Sequence, residues 1–231
     1  MSTASGEAGA SRTPAPDAGQ VLCRALTRDL PVSGASISVV TDTGHHSIVG
    51  ATDELAAQLE AWQFDLGVGP HWEALRTERP AFLYDLHDTT QEGAWPALVA
   101  EMASSGAAAL FAFPLRLADG VVGVADLYSR EPAERWSDET IRRAEGLALR
   151  VSAGAVRLAT ASADADVSRT GAHAVELRRE VHQATGVVMA QLDCDAETAL
   201  LRLRARAFAD GVPLLALARE VVARRVDLSI A

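Results

Sequence analysis

Lysine is absent from this sequence: all 21 basic residues are arginine. With the heavy use of alanine, this suggests a GC-rich bacterial genome, so the arginine bias alone says little about function. Cysteine is scarce as well. Cys23 and Cys194 stand far apart and offer neither a disulfide framework nor a metal-ligand spacing. No apolar run approaches the roughly 18–20 residues that cross a bilayer. Residues 1–20 are rich in Ala, Ser, Gly, Thr and Pro, without the basic start and apolar centre of a signal peptide, and read as a flexible tail. These absences argue for a cytoplasmic protein. Catalytic signatures are lacking too. No motif groups a nucleophile with a base, and no phosphate loop stands in its required context, so the chain reads as a non-enzyme.

What is present is enough apolar material for a proper core, 48% of 231 residues. The net charge of −10 argues against nucleic-acid binding over the whole surface. That charge is uneven: residues 1–168 carry −11 and residues 169–231 carry +1. The split predicts two domains.

Residues 21–29 predict an opening helix, closed by Leu30-Pro31. Residues 35–41 and 45–52 predict a hairpin about the turn Asp42-Thr43-Gly44. Asp53 can cap a helix over 54–62. Residues 64–70 (FDLGVGP) form a glycine-rich loop in which Gly67 and Gly69 permit positive φ. A short helix follows at 71–78, then a strand at 81–86 and a helix at 95–105 entered through Pro96. Residues 107–117 and 121–129 predict two strands joined by Ala118-Asp119-Gly120, and a long helix follows over 138–161. The expected class is α+β, an antiparallel sheet with its helices on one side.

The ISVV strand, the LGVGP loop before HWEALRTERP, the WPALVAEMASSGAAALFAFPLR stretch and the VGVADLYSR strand resemble the GAF sensory family over residues 21–161. The resemblance implies a sensor that binds a small molecule between sheet and loops, or one that only dimerises; it leaves the cofactor unknown. The Asn-Lys…Phe-Asp-Glu motif of cyclic-nucleotide binders is missing, as are a bilin-attaching cysteine and the cysteine cluster of methionine sulfoxide chemistry. Phe64, Gly67, Gly69, His71 and Phe113 are the candidate ligand-binding residues. His71 stands where many relatives carry Cys; it suits haem ligation or a ligand hydrogen bond, or else is a loop histidine bonded to nearby backbone. Phe113, Trp62 and Trp95 also read as core, and His45 and His46, near the hairpin tip, as solvated.

Ala144, Ala148, Val151, Ala155 and Leu158 repeat at 4, 3, 4, 3 along the exit helix. Two readings fit: a homodimer seam, or a helix packed on its own sheet. Residues 162–172 read as a linker.

Residues 173–192, 196–209 and 213–225 predict three helices, broken at Asp193-Cys194-Asp195 and Asp210-Gly211. Gly186 interrupts the first and points to a close approach by another helix or by a ligand. The words HQATGVVMAQL, DAETALLRLRARAFADG and PLLALAREVVARR resemble the ANTAR family of RNA-binding antitermination domains, which gives a C-terminal all-α domain at 173–231. The resemblance implies a dimer that grips tandem stem-loops in nascent mRNA leaders and prevents a terminator hairpin. Relatives usually carry Lys in the QAKG word; Thr185 stands there instead, removing a cation and keeping a hydroxyl. Arg202 and Arg206 share a helix face while Arg204 points elsewhere. The expected RNA contacts are Arg178, Arg179, Gln183, Thr185, Gly186, Arg202, Arg206 and Arg219. The expectation is therefore a ligand-responsive, homodimeric RNA-binding antiterminator, with a protein-interaction module that has lost RNA binding as the alternative.

Overall fold

The computed structural model describes residues 17–40, 46–86, 95–118, 120–164 and 172–229. Most of the expected tail, the turn at 42–44 with His45, and residues 165–171 of the expected linker lie outside the described residues.

Helix α1 (Ala18–Thr27) opens the described chain, capped by the Asp17 carboxylate on the Gln20 amide at 2.6 Å. Strands β1 (Gly34–Val40) and β2 (His46–Ala51) form the expected hairpin, with a bulge between Ile37 and Ser38. Asp53 caps α2 (Glu54–Leu66) through the Ala56 amide at 3.0 Å. Helix α2 runs further than its sequence pattern suggests and ends at Gly67, whose φ of 68° makes the left-handed cap. Next come α3 (Pro70–Thr77), β3 (Ala81–Leu83), α4 (Pro96–Met102), β4 (Ala109–Leu117) and β5 (Gly120–Ser129). The long helix α5 (Asp138–Asp164) closes the unit.

The five strands form one antiparallel sheet in the order β2-β1-β5-β4-β3. Contrary to the expectation of helices on one side, both faces are covered. Ile37, Val39, Phe111, Phe113, Leu115, Ala125 and Leu127 pack against α1 and α5. The alternate positions Leu110 and Tyr128 pack against α2 and α4, and Ala112 and Val124 against Ala74 of α3. Period-2 alternation makes this division automatic. A sheet buried on both faces needs nearly continuous apolar strands, and the ALFAFPL run of β4 is one.

The first core is anchored by Trp136, stacked on Phe111 at 4.3 Å between ring centroids. Ala144, Ala148, Val151 and Ala155 of α5 are buried in this same core. Four of the five stripe positions thus pack on the protein's own sheet, which corrects their reading as a homodimer seam; the fifth, Leu158, is half-buried and lies outside this core.

The C-terminal unit is a three-helix bundle of α6 (Ala172–Leu192), α7 (Ala196–Asp210) and α8 (Leu214–Val222). Asp195 caps α7 on the Thr198 amide at 2.7 Å, and Gly211 at φ 65° ends it. Val181, Ala184, Val188, Leu203, Leu217 and Val221 fill its core. Two rings of the N-terminal unit, Phe64 and Trp72, pack into that core, and α6 lies against β2.

The tightest helix–strand approach is glycine on glycine. A Cβ on Gly19 would sit 1.9 Å from the Val49 carbonyl oxygen, and one on Gly50 would sit 2.5 Å from the Gly19 carbonyl carbon. Gly19→Ala should therefore destabilise the protein by about 1–3 kcal/mol, because a packed backbone must move. Gly120→Ala, where an added Cβ meets nothing within 4 Å, should stay within about 0.5 kcal/mol of the parent. Urea unfolding of the two variants checks this; equal losses would show that the α1–β2 approach is not under steric control.

Candidate functional site

On the α2/α3 face of the sheet, alternation places polar groups between apolar ones. Ser36 and Ser38 of β1 and Asp126 of β5 all turn to this side, and Ser36 pairs with Asp126 in register. A carboxylate this buried needs an answering donor. His71 supplies it: its Nδ1 lies 2.7 Å from Asp126 Oδ2. Helix α3 delivers His71 because Pro70 starts the helix and Gly69, at φ 124°, lets the chain pass Gln63. The Gln63 side-chain oxygen in turn accepts from the His71 amide at 2.9 Å.

The network continues through a second histidine. His71 Nε2 and His46 Nε2 are 2.7 Å apart, so a single proton lies between them. With His71 Nδ1–H donating to the Asp126 carboxylate, a neutral His71 accepts from His46 Nε2–H. His46 Nδ1 then faces Glu60 Oε1 at 3.7 Å. His46, Glu60, Gln63, His71 and Asp126 are all at most 6% exposed. His46 is therefore no solvated hairpin residue, and that reading is corrected: at the first position of β2 it faces inward. Gln63 Nε2 and Asp126 Oδ1 are buried without a hydrogen-bond partner among the described residues.

The candidate ligand residues divide. Phe64, Gly67, Gly69 and His71 come together around this network. Phe113 does not join them: it lies in the core on the opposite face of the sheet, against Trp136, because β4 presents odd-numbered residues to that side. His71 belongs to α3 rather than to a loop, and both its ring nitrogens are engaged by side chains, which leaves neither for haem iron. Hollows beside Pro31, of about 270 and 440 Å³, share no lining residue with the histidines. Among the described residues no cluster of three His, Cys, Asp or Glu side chains could hold a metal ion.

The network has a neighbour in the helical domain. The Arg204 guanidinium of α7 lies over Trp72 at 4.7 Å and over Phe64 at 5.2 Å, and its Nη2 donates to the Phe64 carbonyl at 2.5 Å. From α6, His182 Nε2 donates to the His46 carbonyl at 3.0 Å. Loss of hydration lowers Arg204 to about 10, against the pull of Asp65, so it stays charged near neutrality. Loss of hydration likewise raises the Asp65 carboxyl to about 6, against the pull of Arg204. Arg204 Nε has no hydrogen-bond partner among the described residues.

The expected RNA contacts are spread over the bundle. Gln183 and Gly186 are exposed on α6, and Arg202 and Arg206 on α7. Arg206 pairs with Asp210 at 2.7 Å, and Arg219 of α8 with Glu180 at 2.5 Å. Thr185 is 7% exposed, and its hydroxyl donates to the Val181 carbonyl of its own helix at 2.8 Å. The side chains of Arg178 and Arg179 lie outside the described residues. Neighbour packing does not explain Gly186: an added Cβ would meet nothing within 4 Å. Sequence reasoning missed His46, Glu60, Asp126, Trp72 and Arg204. The one signal available for Asp126 was its place at a polar step within an otherwise apolar strand.

Comparison with known proteins agrees with this architecture. The chain matches the GAF domain model over residues 13–153 and the ANTAR domain model over residues 172–222. No curated protein matches it. Among solved structures it is similar to a domain of a putative two-component sensor histidine kinase from Sinorhizobium meliloti (24% identity, 63% of this chain and 93% of that one, TM-score 0.46). It is also similar to the GAF-B domain of DevS from Mycobacterium smegmatis (21%, 64% and 96%, 0.40). A third is a type II free methionine-R-sulfoxide reductase from Thermoplasma acidophilum (16%, 60% and 90%, 0.43). No described helix is long and apolar enough to cross a membrane. The chain belongs to the GAF domain family and, with an ANTAR domain following its GAF domain, is a signal-sensing regulator of the ANTAR kind.

Proposed function

We propose that this protein is a cytoplasmic RNA-binding antitermination regulator and not an enzyme. Its GAF domain senses a signal or small-molecule ligand. Its ANTAR domain, paired in a homodimer, binds tandem stem-loops in mRNA leaders and keeps a terminator hairpin from forming. One observation carries this reading: the ANTAR match falls on a three-helix unit packed about a core that Phe64 and Trp72 complete, and its exposed residues include Gln183, Gly186, Arg202, Arg206 and Arg219. These five, with Arg178 and Arg179, are the proposed RNA contacts. Thr185, its hydroxyl spent on Val181, shapes α6 from inside.

The ion pairs on these arginines do not oppose the reading. Surface pairs such as Arg206–Asp210 and Arg219–Glu180 are worth about 0–1 kcal/mol, so an RNA phosphate can displace the carboxylate. A second reading, a protein-interaction module without RNA binding, is favoured by the inward Thr185 and by the net charge of only +1 over residues 169–231.

Binding to an RNA with two short hexaloop stem-loops, across a salt series, separates the two. The parent should bind in a loop-sequence-dependent way. The double variant Arg202→Ala/Arg206→Ala should bind more weakly, with a slope of log K on log salt shallower by about 1.5, as expected for two lost phosphate contacts. Salt-independent binding, or equal binding by the variant, would favour the protein-interaction module.

Gly186 permits a test that folding cannot confound. In an exposed helix interior with open space around it, Gly186→Ala should stabilise the protein by up to about 1 kcal/mol in thermal unfolding. If this glycine lets the RNA backbone approach α6, the same variant should bind RNA less tightly. Unchanged affinity in the stabilised variant would remove Gly186 from the interface.

A further inference from the structure

Arg204 lies in the middle of an unusual stripe. Leu201, Arg204 and Phe208 are spaced i, i+3, i+7 and share one face of α7, with Ala205 between them. Leu201 is 63% exposed and Phe208 82% exposed, the most exposed large apolar side chains among the described residues. The residue between them instead reaches into the sensory domain. There it meets the faces of two aromatic rings and one carbonyl oxygen, those of Trp72 and Phe64. A π-face together with a carbonyl acceptor is also what an unpaired nucleobase presents to arginine.

We propose that the Leu201–Arg204–Ala205–Phe208 stripe is a surface for unpaired RNA bases, and that the sensory domain masks it by offering Arg204 a protein mimic of a base. RNA and the Phe64–Trp72 face then compete for one guanidinium. The proposal rests on the RNA-binding reading and supplies its regulation.

Three features fit a mask that can open. Arg204 Nε is buried without an acceptor among the described residues, so docking leaves a donor idle that water or RNA would satisfy. Arg204 passes close over Gly67, where a Cβ would lie 2.9 Å from its Nη1. The second hold, His182 on the His46 carbonyl, rests on the residue that joins the buried network to β2. A change in the sensory core that moves His46 or the Gly67–Gly69 turn therefore alters the mask directly. On release, Phe208 provides a stacking ring, Leu201 and Ala205 an apolar floor, and Arg204 the planar fork.

The test uses the full chain and the RNA with two hexaloop stem-loops, with two readouts: RNA affinity, and amide hydrogen exchange over residues 63–72. RNA should speed exchange in that segment, because it draws Arg204 away. Arg204→Ala should speed the same exchange without RNA and weaken RNA binding about tenfold or more. Arg204→Lys, which keeps the charge and loses the fork, should bind RNA nearly as weakly as the alanine variant. His182→Ala, which loosens the mask and spares Arg204, should speed exchange and tighten RNA binding severalfold. If the parent binds RNA and Arg204→Ala binds it equally well, the base surface is overturned while the RNA-binding reading stands. RNA binding that leaves exchange at 63–72 unchanged overturns the competition. If neither the parent nor His182→Ala binds RNA, although exchange shows the mask open, the RNA-binding reading itself fails and the proposal fails with it.

Discussion

The hydrogen bond between His71 and the Asp126 carboxylate sets the terms for everything around it. Asp126 lies on β5, the central strand of the sheet, and turns into a helix layer rather than into water. An unanswered carboxylate there would be strongly destabilising, so a donor has to be carried to it. That requirement places α3, because His71 must reach Asp126 from the second residue of that helix. It places the Gly67–Gly69 turn, because the chain must leave α2 and turn sharply to start α3 above β5. It also recruits Gln63, whose carboxamide oxygen fixes the His71 amide. Through the single proton between His71 and His46, the same demand orients the first residue of β2.

Consequences reach the domain junction without any long-range mechanism. The imidazole of His46 packs among His71, Phe64 and Trp72, at centroid distances of 4.8, 5.2 and 5.6 Å. Two of these rings receive Arg204, and the His46 carbonyl receives His182. These polar contacts between the domains, Arg204 on the Phe64 carbonyl and His182 on the His46 carbonyl, lie over the buried network. Relative motion of neighbouring domains is the default expectation unless a large apolar interface locks them. A signal needs only to favour one arrangement of the network over another, and its influence is bounded by that difference in affinity.

Much of the fold was legible in the sequence, and the failures have physical causes. Caps and stops worked because they are local: Asp53, Asp195, Pro70, Pro96, Gly67 and Gly211 act where the sequence places them. The sheet was legible as strands. Its two-sided burial is written only in the unbroken apolar run of β4, which a buried helix could also carry. His71 stood out because it follows the glycine turn. His46, Asp126 and Glu60 did not, since their meaning lies in a contact across elements that no local pattern encodes. Without a strand register Phe113 cannot be assigned to a face, and one step of alternation puts it opposite the His71 network. Arg204 could be read as pointing away from Arg202 and Arg206, but where it points is a tertiary fact.

The charge distribution would give the proposed mask a second, non-contact component. The GAF domain, against which Arg204 docks, belongs to the segment that carries −11, and the helical domain, which contains Arg204, to the one that carries +1. While the two are docked, a phosphate chain approaching α7 meets the field of the acidic domain as well as the occupied guanidinium, and both disfavour it. Separation removes both at once. The repulsion falls off over about 8–10 Å at physiological ionic strength, so a modest displacement is enough to relieve it. A near-neutral helical domain is what the proposed mask needs. A strongly basic bundle would bind RNA non-specifically in either state, and would also be drawn so firmly to its acidic neighbour that the mask could not open.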